Sequence, residues 1–239
     1  MRCLRVRYTK RGKIRFIGHR DVARIWERTL RKANIPVLYS QGFSPHPRIS
    51  FGLALPTGFE SEAEYVDIYL GEEFFLKDFD AELIQQGIDR ALPTGMDALK
   101  VGIVSTSEDS LQEAVDACVW EVRISGISAE GFKKIRSELF SCDSLSIERE
   151  RKGKILVEDV RSQIHSMDIA EEHTDGVTIL TELGTKPRVL RPTDLLKRIN
   201  SELRTVRVLR KEQLTLRGNK RIEPLSIELH PAAPAEVLA

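Results

Sequence analysis

The chain has 239 residues, 41% hydrophobic and 31% charged, enough apolar content to bury a core and too much for a chain disordered by composition. It holds no run of eighteen apolar residues, which excludes a helical membrane span, and its charged start Met-Arg-Cys-Leu-Arg-Val-Arg is not expected to be a secretory leader. The formal net charge of +1 conceals a polarised sequence: residues 1–50 carry thirteen Lys or Arg against Asp21 and Glu27, and residues 51–120 carry three against fifteen acids.

In chain order, Leu4, Val6 and Tyr8 alternate with Arg5, Arg7 and Thr9. Period two predicts a half-buried strand with a cationic outer face. Lys10–Lys13 is a turn around Gly12, and Ile14–Ile17 a second short strand. Val22, Ile25, Trp26, Thr29, Leu30 and Ala33 recur at three and four residues and predict a helix. Either Asp21 caps it or His19 sits at its start, and Asn34 with Pro36 ends it. Val37–Ser40 and Ile49–Leu55 read as strands flanking Gly42-Phe-Ser-Pro-His-Pro47, a loop that its two prolines stiffen. Glu64–Leu70 alternates as a strand, Phe79–Leu92 is a helix closed by Pro93 and Gly95, and Ala98–Val104 is a strand.

The polar segment Ser105–Ser110 reads as a linker, after which the pattern begins again. Ala117–Ile124 is a strand, Ala129–Phe140 a helix, and Leu145–Glu150 with Lys154–Asp159 a hairpin. Val160–Met167 either extends that hairpin or begins another strand. Val177–Leu183, the helix Pro192–Ser201 and the strand Val206–Leu216 follow. The expected fold is α+β: two tandem ferredoxin-like (split βαβ) units with antiparallel sheets. The expected domains are a basic N-terminal one over 1–107, a second over 108–230, and a flexible tail over 231–239.

Chemistry concentrates between residues 15 and 48. His19, beside a helix start and two residues from Asp21, has the placement of a general acid or base, of a phosphate ligand, or of a packing histidine. His46, between two prolines and before Arg48, suits contact with a phosphate or a partner, and equally a structural turn. His19 and His46 together would serve metal-independent RNA cleavage, one as base and one as acid, although nothing in the sequence brings them together. No close-spaced ligand signature is present, so no metal is expected. No GxGxxG, P-loop, GxSxG or HExxH motif occurs. Cys3, Cys118 and Cys142 are odd in number and far apart, which fits a reducing cytoplasm and argues against an iron–sulfur cluster or structural zinc in this chain.

Arg20, Arg24, Arg28 and Arg31, with Lys32, make a helical ridge that has only Glu27 available for pairing. Beside it lie Arg5 and Arg7 on the strand, Lys10 and Lys13 in the turn, and Arg15 and Arg48. This set predicts a phosphate-binding surface. Phe16, Tyr39 and Phe43 suit base stacking or core packing. Gly184–Arg188 and Arg191–Asp194 form a second basic loop that either continues this surface or caps the next helix.

These stretches resemble a known bacterial family. Lys10-Arg-Gly-Lys-Ile-Arg-Phe-Ile-Gly-His19-Arg-Asp21 is similar to its opening K-x-G-x-x-R-F-x-S-H-x-D. Arg24 to Pro36 is similar to its basic helix, and Ser40-Gln-Gly-Phe-Ser-Pro-His-Pro-Arg-Ile-Ser-Phe51 to S-x-G-F-N-P-H-P-x-x-S-F. Gly58 to Asp67 is similar to G-x-x-S-x-x-E-Y-x-D. This is the DUF2344, or radical SAM-linked, family. The match is specific over residues 1–70 and looser beyond, and Gly18, Arg20 and Thr29 depart from the usual Ser, Leu and Ala. The resemblance implies a domain either fused behind a B12-binding radical SAM protein or encoded beside one, and the absence of a cluster-binding cysteine motif here agrees with a stand-alone accessory chain. That partner would carry the iron–sulfur cluster, S-adenosylmethionine and cobalamin, and no cofactor is expected in this chain.

The expected function is therefore cytoplasmic and non-catalytic: RNA binding or substrate presentation to such an enzyme, in RNA modification. Two alternatives stand beside it. One is an endoribonuclease with His19 as base, His46 as acid and Arg15 or Arg48 stabilising the phosphorane. The other is a protein–protein adaptor without nucleic-acid binding.

Overall fold

The structure, a computed structural model, describes residues 2–75, 79–105, 110–151, 153–218 and 220–227. The tail at 231–239 and the middle of the expected linker lie outside the described residues. β1 (Arg2–Lys10) leads through a 3-10 turn (Gly12–Phe16) into α1 (His19–Lys32), followed by β2 (Ile49–Phe51) and β3 (Glu60–Tyr69). α2 (Glu72–Phe75), α3 (Ala81–Ala91) and β4 (Ala98–Ser105) complete the first half. The second half runs through β5 (Ala117–Ser125), α4 (Ala129–Ser141), β6 (Ser146–Arg151) and β7 (Lys154–Asp159) to β8 (Ile164–His173). β9 (Gly176–Gly184), α5 (Pro192–Ile199), β10 (Arg204–Arg217) and β11 (Lys220–Ile222) close it.

The result is a mixed α/β fold on a mostly antiparallel sheet. Nine strands form one sheet in the order β4-β1-β3-β10-β5-β9-β8, with β2 paired to β3 and β11 to β10. β6 and β7 stand apart as a hairpin. The β3–β10 contact is parallel and joins the two halves, matching Leu209 with Glu60 and Arg210 with Ser61.

Two apolar cores lie on either side of that seam. Leu4, Val6 and Tyr8 of β1 pack with Val66 and Ile68 of β3 against Val22, Trp26 and Leu30 of α1 and Ile88 of α3. Trp26 is fully buried and meets the Tyr8 ring edge-on at 4.9 Å. Truncating such a side chain to Ala costs about 3–5 kcal/mol. In the second half, Trp120 and Val122 of β5 and Ile179 of β9 pack against Phe132 of α4 and Leu195 of α5.

Two local expectations change. Ile14–Ile17 is no strand. Gly12, at φ 62°, turns the chain, and Ile17 N–H donates to Ile14 C=O at 3.1 Å, closing a 3-10 turn. Val37–Ser40 forms only single bridges, Val37 to Leu70 and Tyr39 to Pro47, because the neighbouring prolines have no N–H for a ladder. Of the two readings for the start of α1, His19 at the helix start is the one formed, and Asp21 does not cap it. Gly18 is the N-cap, with no side-chain bond, and His19 is the first helical residue. Of the alternatives for Val160–Met167, a new strand is formed: a 3-10 turn at Arg161–Gln163 opens β8.

The cationic outer face expected for β1 is covered. After β11 the turn Pro224–Ile227 returns across the sheet, where Leu225 clusters with Ala63, Tyr65 and Leu111. Arg5 lies beneath it.

Candidate nucleic-acid interface

α1 buries Val22, Trp26, Thr29 and Leu30, so its other face, with Arg20, Arg24, Arg28, Arg31 and Lys32, turns to solvent. Arg24 reaches Asp21 at 3.5 Å, but both side chains are more than half exposed and such a pair is worth about 0–1 kcal/mol. Arg20, Arg28 and Arg31 make no side-chain hydrogen bond or ion pair among the described residues. A guanidinium held in water without a carboxylate is ready for a phosphate oxygen.

The loop between α1 and β2 is fixed at its base and open at its tip. Ser40 N–H donates to His46 C=O at 2.9 Å, His46 N–H to Ser40 Oγ at 3.0 Å, and Arg48 N–H to Leu38 C=O at 2.7 Å. Gly42 takes φ 130°, a region that favours glycine. At the tip the Phe43 ring is fully exposed, at 109% of its reference area, and touches no core. Tyr39 is half exposed, and the Arg48 guanidinium lies 5.1 Å from the Tyr69 ring. Phe16 is also exposed, with Arg15 stacked 4.6 Å from its centroid. Aromatic faces beside guanidinium groups are the elements of a single-strand stacking surface.

Other expected contacts turn inward. Arg5, 8% exposed, donates through Nε and Nη2 to both carboxylate oxygens of Asp67, at 2.6 and 2.8 Å, and through Nη1 to Pro224 C=O. Arg7 is held by Glu62 C=O, Lys211 C=O and Glu223. Lys10 is buried and donates to Ile17 C=O at 3.0 Å. Arg15 reaches Glu60 at 3.3 Å and is only partly exposed, whereas Lys13 is exposed. Arg5 and Lys10 are thereby removed from the surface. β1 is flanked by strands on both edges, and each inward cation meets a partner or a carbonyl.

The two histidines are not brought into contact. The His19 ring packs edge-on against Phe51 at 5.0 Å, while His46 is exposed at the base of its loop. Beside His19 is a narrow cleft of about 20 Å³, room for one water, lined by Tyr8, Lys10, Phe51, Leu53 and Glu64. Burial lowers the Lys10 ammonium below the ordinary lysine value, against the pull of Glu64. Burial likewise holds the Tyr8 hydroxyl neutral. Glu64 is already bonded by Arg210, at 2.6 Å. This cleft is too small and too fully paired for a substrate. The sequence reading missed both Glu64 in this role and Arg210. No local signal marks Arg210, which sits among other charges, with Arg207 before it and Lys211 and Glu212 directly after.

A mixed α/β chain with an exposed basic helix followed by a stiff aromatic loop is the class of protein that these elements define. The chain belongs to the family described as "Uncharacterized protein conserved in bacteria (DUF2344)", whose model matches residues 3–192 and so spans both α1 and the loop. No curated protein matches the chain. Among solved structures, the archaeal box H/ACA sRNP Nop10–Cbf5 complex is similar at 7% identity and TM-score 0.46, over 87% of this chain and 46% of that one. A Cbf5–Nop10–Gar1 complex is similar at 8% identity and TM-score 0.49, over 88% and 48%. The chain thus spans about half the length of these structures.

Proposed function

We propose that this chain is an accessory RNA-binding protein that presents RNA to a B12-binding radical SAM enzyme for modification. The observation that carries the reading is the set Arg20, Arg28 and Arg31, exposed and unpaired among the described residues, on the helix that precedes a fixed loop with Phe43 at its tip. Three guanidinium groups on one face track a backbone, and an exposed ring takes a base. Lys13, Arg24 and Arg48 extend the surface; Arg5 and Lys10 serve the fold.

The partner is inferred from the family resemblance. Cobalamin, S-adenosylmethionine and an iron–sulfur cluster belong to that partner in this reading. The placement of the cysteines supports it, since Cys3 and Cys118 are buried in different halves. Two split βαβ units are the frame proposed for this role. The orders β4-β1-β3-β2 and β10-β5-β9-β8 within the one sheet support that frame.

The test is binding of a labelled transfer RNA transcript to the full chain at low and at physiological salt, followed by electrophoresis of the recovered RNA. Binding that weakens steeply with salt and leaves the RNA intact is expected. Absence of binding at low salt overturns the proposal in favour of the adaptor. Cleaved RNA that stays intact with His19→Ala or His46→Ala overturns it in favour of the nuclease.

A further inference from the structure

The β6–β7 hairpin does not join the main sheet, and its detachment creates a cleft of about 1050 Å³ against α5. The hairpin is anchored at its base. Val160 N–H donates to Leu145 C=O at 2.8 Å, Arg198 Nε to Ser146 C=O at 2.6 Å, and Arg188 pairs with Glu158 at 3.2 Å. The sequence of α5 determines what faces the opening. Pro192, Leu195 and Leu196 are buried, so Arg191, Asp194, Lys197 and Arg198, three or four residues apart, fall on the other face and line the cleft.

The lining combines cations with aliphatic groups. Arg191, Lys197 and Arg198 line it from α5 and Arg188 from the segment before, while exposed Val157 of the hairpin and Val189 give it apolar lining. Arg191 and Lys197 are exposed, and their side chains make no hydrogen bond or ion pair among the described residues. Val157 is 63% exposed, and Ile155, on the same face of β7, is 69% exposed. Water-exposed aliphatic groups beside unpaired cations are costly for an empty surface and favourable for an amphipathic anion. Glu148, exposed on the hairpin, places a carboxylate in the same cleft. It suits the amino and hydroxyl donors that a nucleoside carries and a bare phosphate lacks.

We infer that this cleft binds a nucleoside phosphate, with the phosphate on Arg191 and Lys197 and the nucleoside along Val157 and Val189. Its volume of about 1050 Å³ lies just above the range of about 300–1,000 Å³ usual for small-ligand sites. The phosphate is either that of a free nucleotide or that of an RNA strand. The inference rests on the second half of the chain alone and does not depend on the proposed role of α1.

The test is calorimetric titration of the full chain, at fixed ionic strength, with uridine 5′-diphosphate, with pyrophosphate and with a ten-residue oligouridylate. The parent is compared with Arg191→Gln/Lys197→Gln and with Arg20→Gln/Arg28→Gln/Arg31→Gln. All five positions are exposed, and an unchanged thermal midpoint verifies that each variant folds. The expected result is binding of the diphosphate that falls about tenfold or more per lost charge in the cleft variant and is unchanged in the α1 variant. Binding of the oligonucleotide alone, weakened by the cleft variant, supports the same site with a strand as its source. Equal affinity for pyrophosphate and the diphosphate overturns the nucleoside assignment. No binding of any probe, or equal binding by parent and cleft variant, overturns the site and leaves the cleft to an acidic protein segment.

Discussion

Arg210 and Glu64 meet across the seam between β10 and β3, with Nη2 2.6 Å from Oε1 and both side chains buried. The same Arg210 nitrogen donates to Leu53 C=O at 2.9 Å, and its guanidinium lies 5.4 Å from the Trp120 ring. One side chain therefore joins β10, β3, the segment after β2 and β5. β3 and β10 share only a short parallel register, and this buried network is one of the ties across it, beside Arg207 with Glu60 and Gln213 Nε2 with Ala63 C=O.

Removing one partner leaves a buried charge unmatched. Arg210→Ala is expected to destabilise the chain by about 3–5 kcal/mol. Replacing both, as Arg210→Met/Glu64→Leu, is expected to cost much less. Urea unfolding of the two variants measures the difference, and equal losses would show that the pair is not the cause.

Glu60 gives the seam its pH dependence. Burial alone would raise its carboxyl, but the hydrogen bonds from Arg207 and from Gly12 N–H, with Arg15 nearby, hold it below the usual range. A depressed folded-state value contributes stability that is present above the unfolded glutamate value, about 4.3, and is lost as pH falls through the folded value. Glu60→Gln is expected to lower stability near pH 7 and to flatten the loss below about pH 4.3. Thermal midpoints from pH 7 to pH 3 test this, and parallel curves for parent and variant would refute it.

The cysteines predict a graded thiol reaction. Burial, with Asp67 beside it, pushes the Cys3 thiol up to about 12, and burial raises Cys118 as well. Cys142 is exposed. At pH 8 a disulfide reagent is expected to titrate one thiol rapidly in the folded chain and all three in denaturant. Three fast thiols without denaturant would contradict the packing of β1 and β5.

How far the sequence carries the fold is clear from where it fails. The 3.6-residue period of α1 and the alternation of β3 depend on near neighbours and are legible. The fate of Arg5 is not, because its partners Asp67 and Pro224 lie 62 and 219 residues away. The same holds for Arg210, whose partner Glu64 is 146 residues distant. Among the expected site residues, those on α1 and at the loop tip stay exposed because local periodicity and prolines determine their direction. Those on β1 turn inward because a strand is flanked by whatever the topology brings.

Phe43 separates function from stability. Its ring buries nothing, so Phe43→Ala is expected to change unfolding free energy by no more than about 0.5 kcal/mol. Loss of one stacked base is expected to weaken single-stranded RNA binding by about 1–3 kcal/mol. Chemical denaturation and RNA titration of the same variant check both halves. A stability loss with unchanged binding would assign the loop to the fold.

The central claim is that the α1 arginines bind RNA phosphates, and the salt dependence of affinity measures it most directly. The logarithm of the association constant is plotted against the logarithm of salt concentration for the parent and for Arg20→Gln/Arg28→Gln/Arg31→Gln. Each lost phosphate contact reduces the slope by about 0.7–0.9, so the variant is expected to bind more weakly with a slope shallower by about 2–3. An unchanged slope, with the variant folded, would contradict the account.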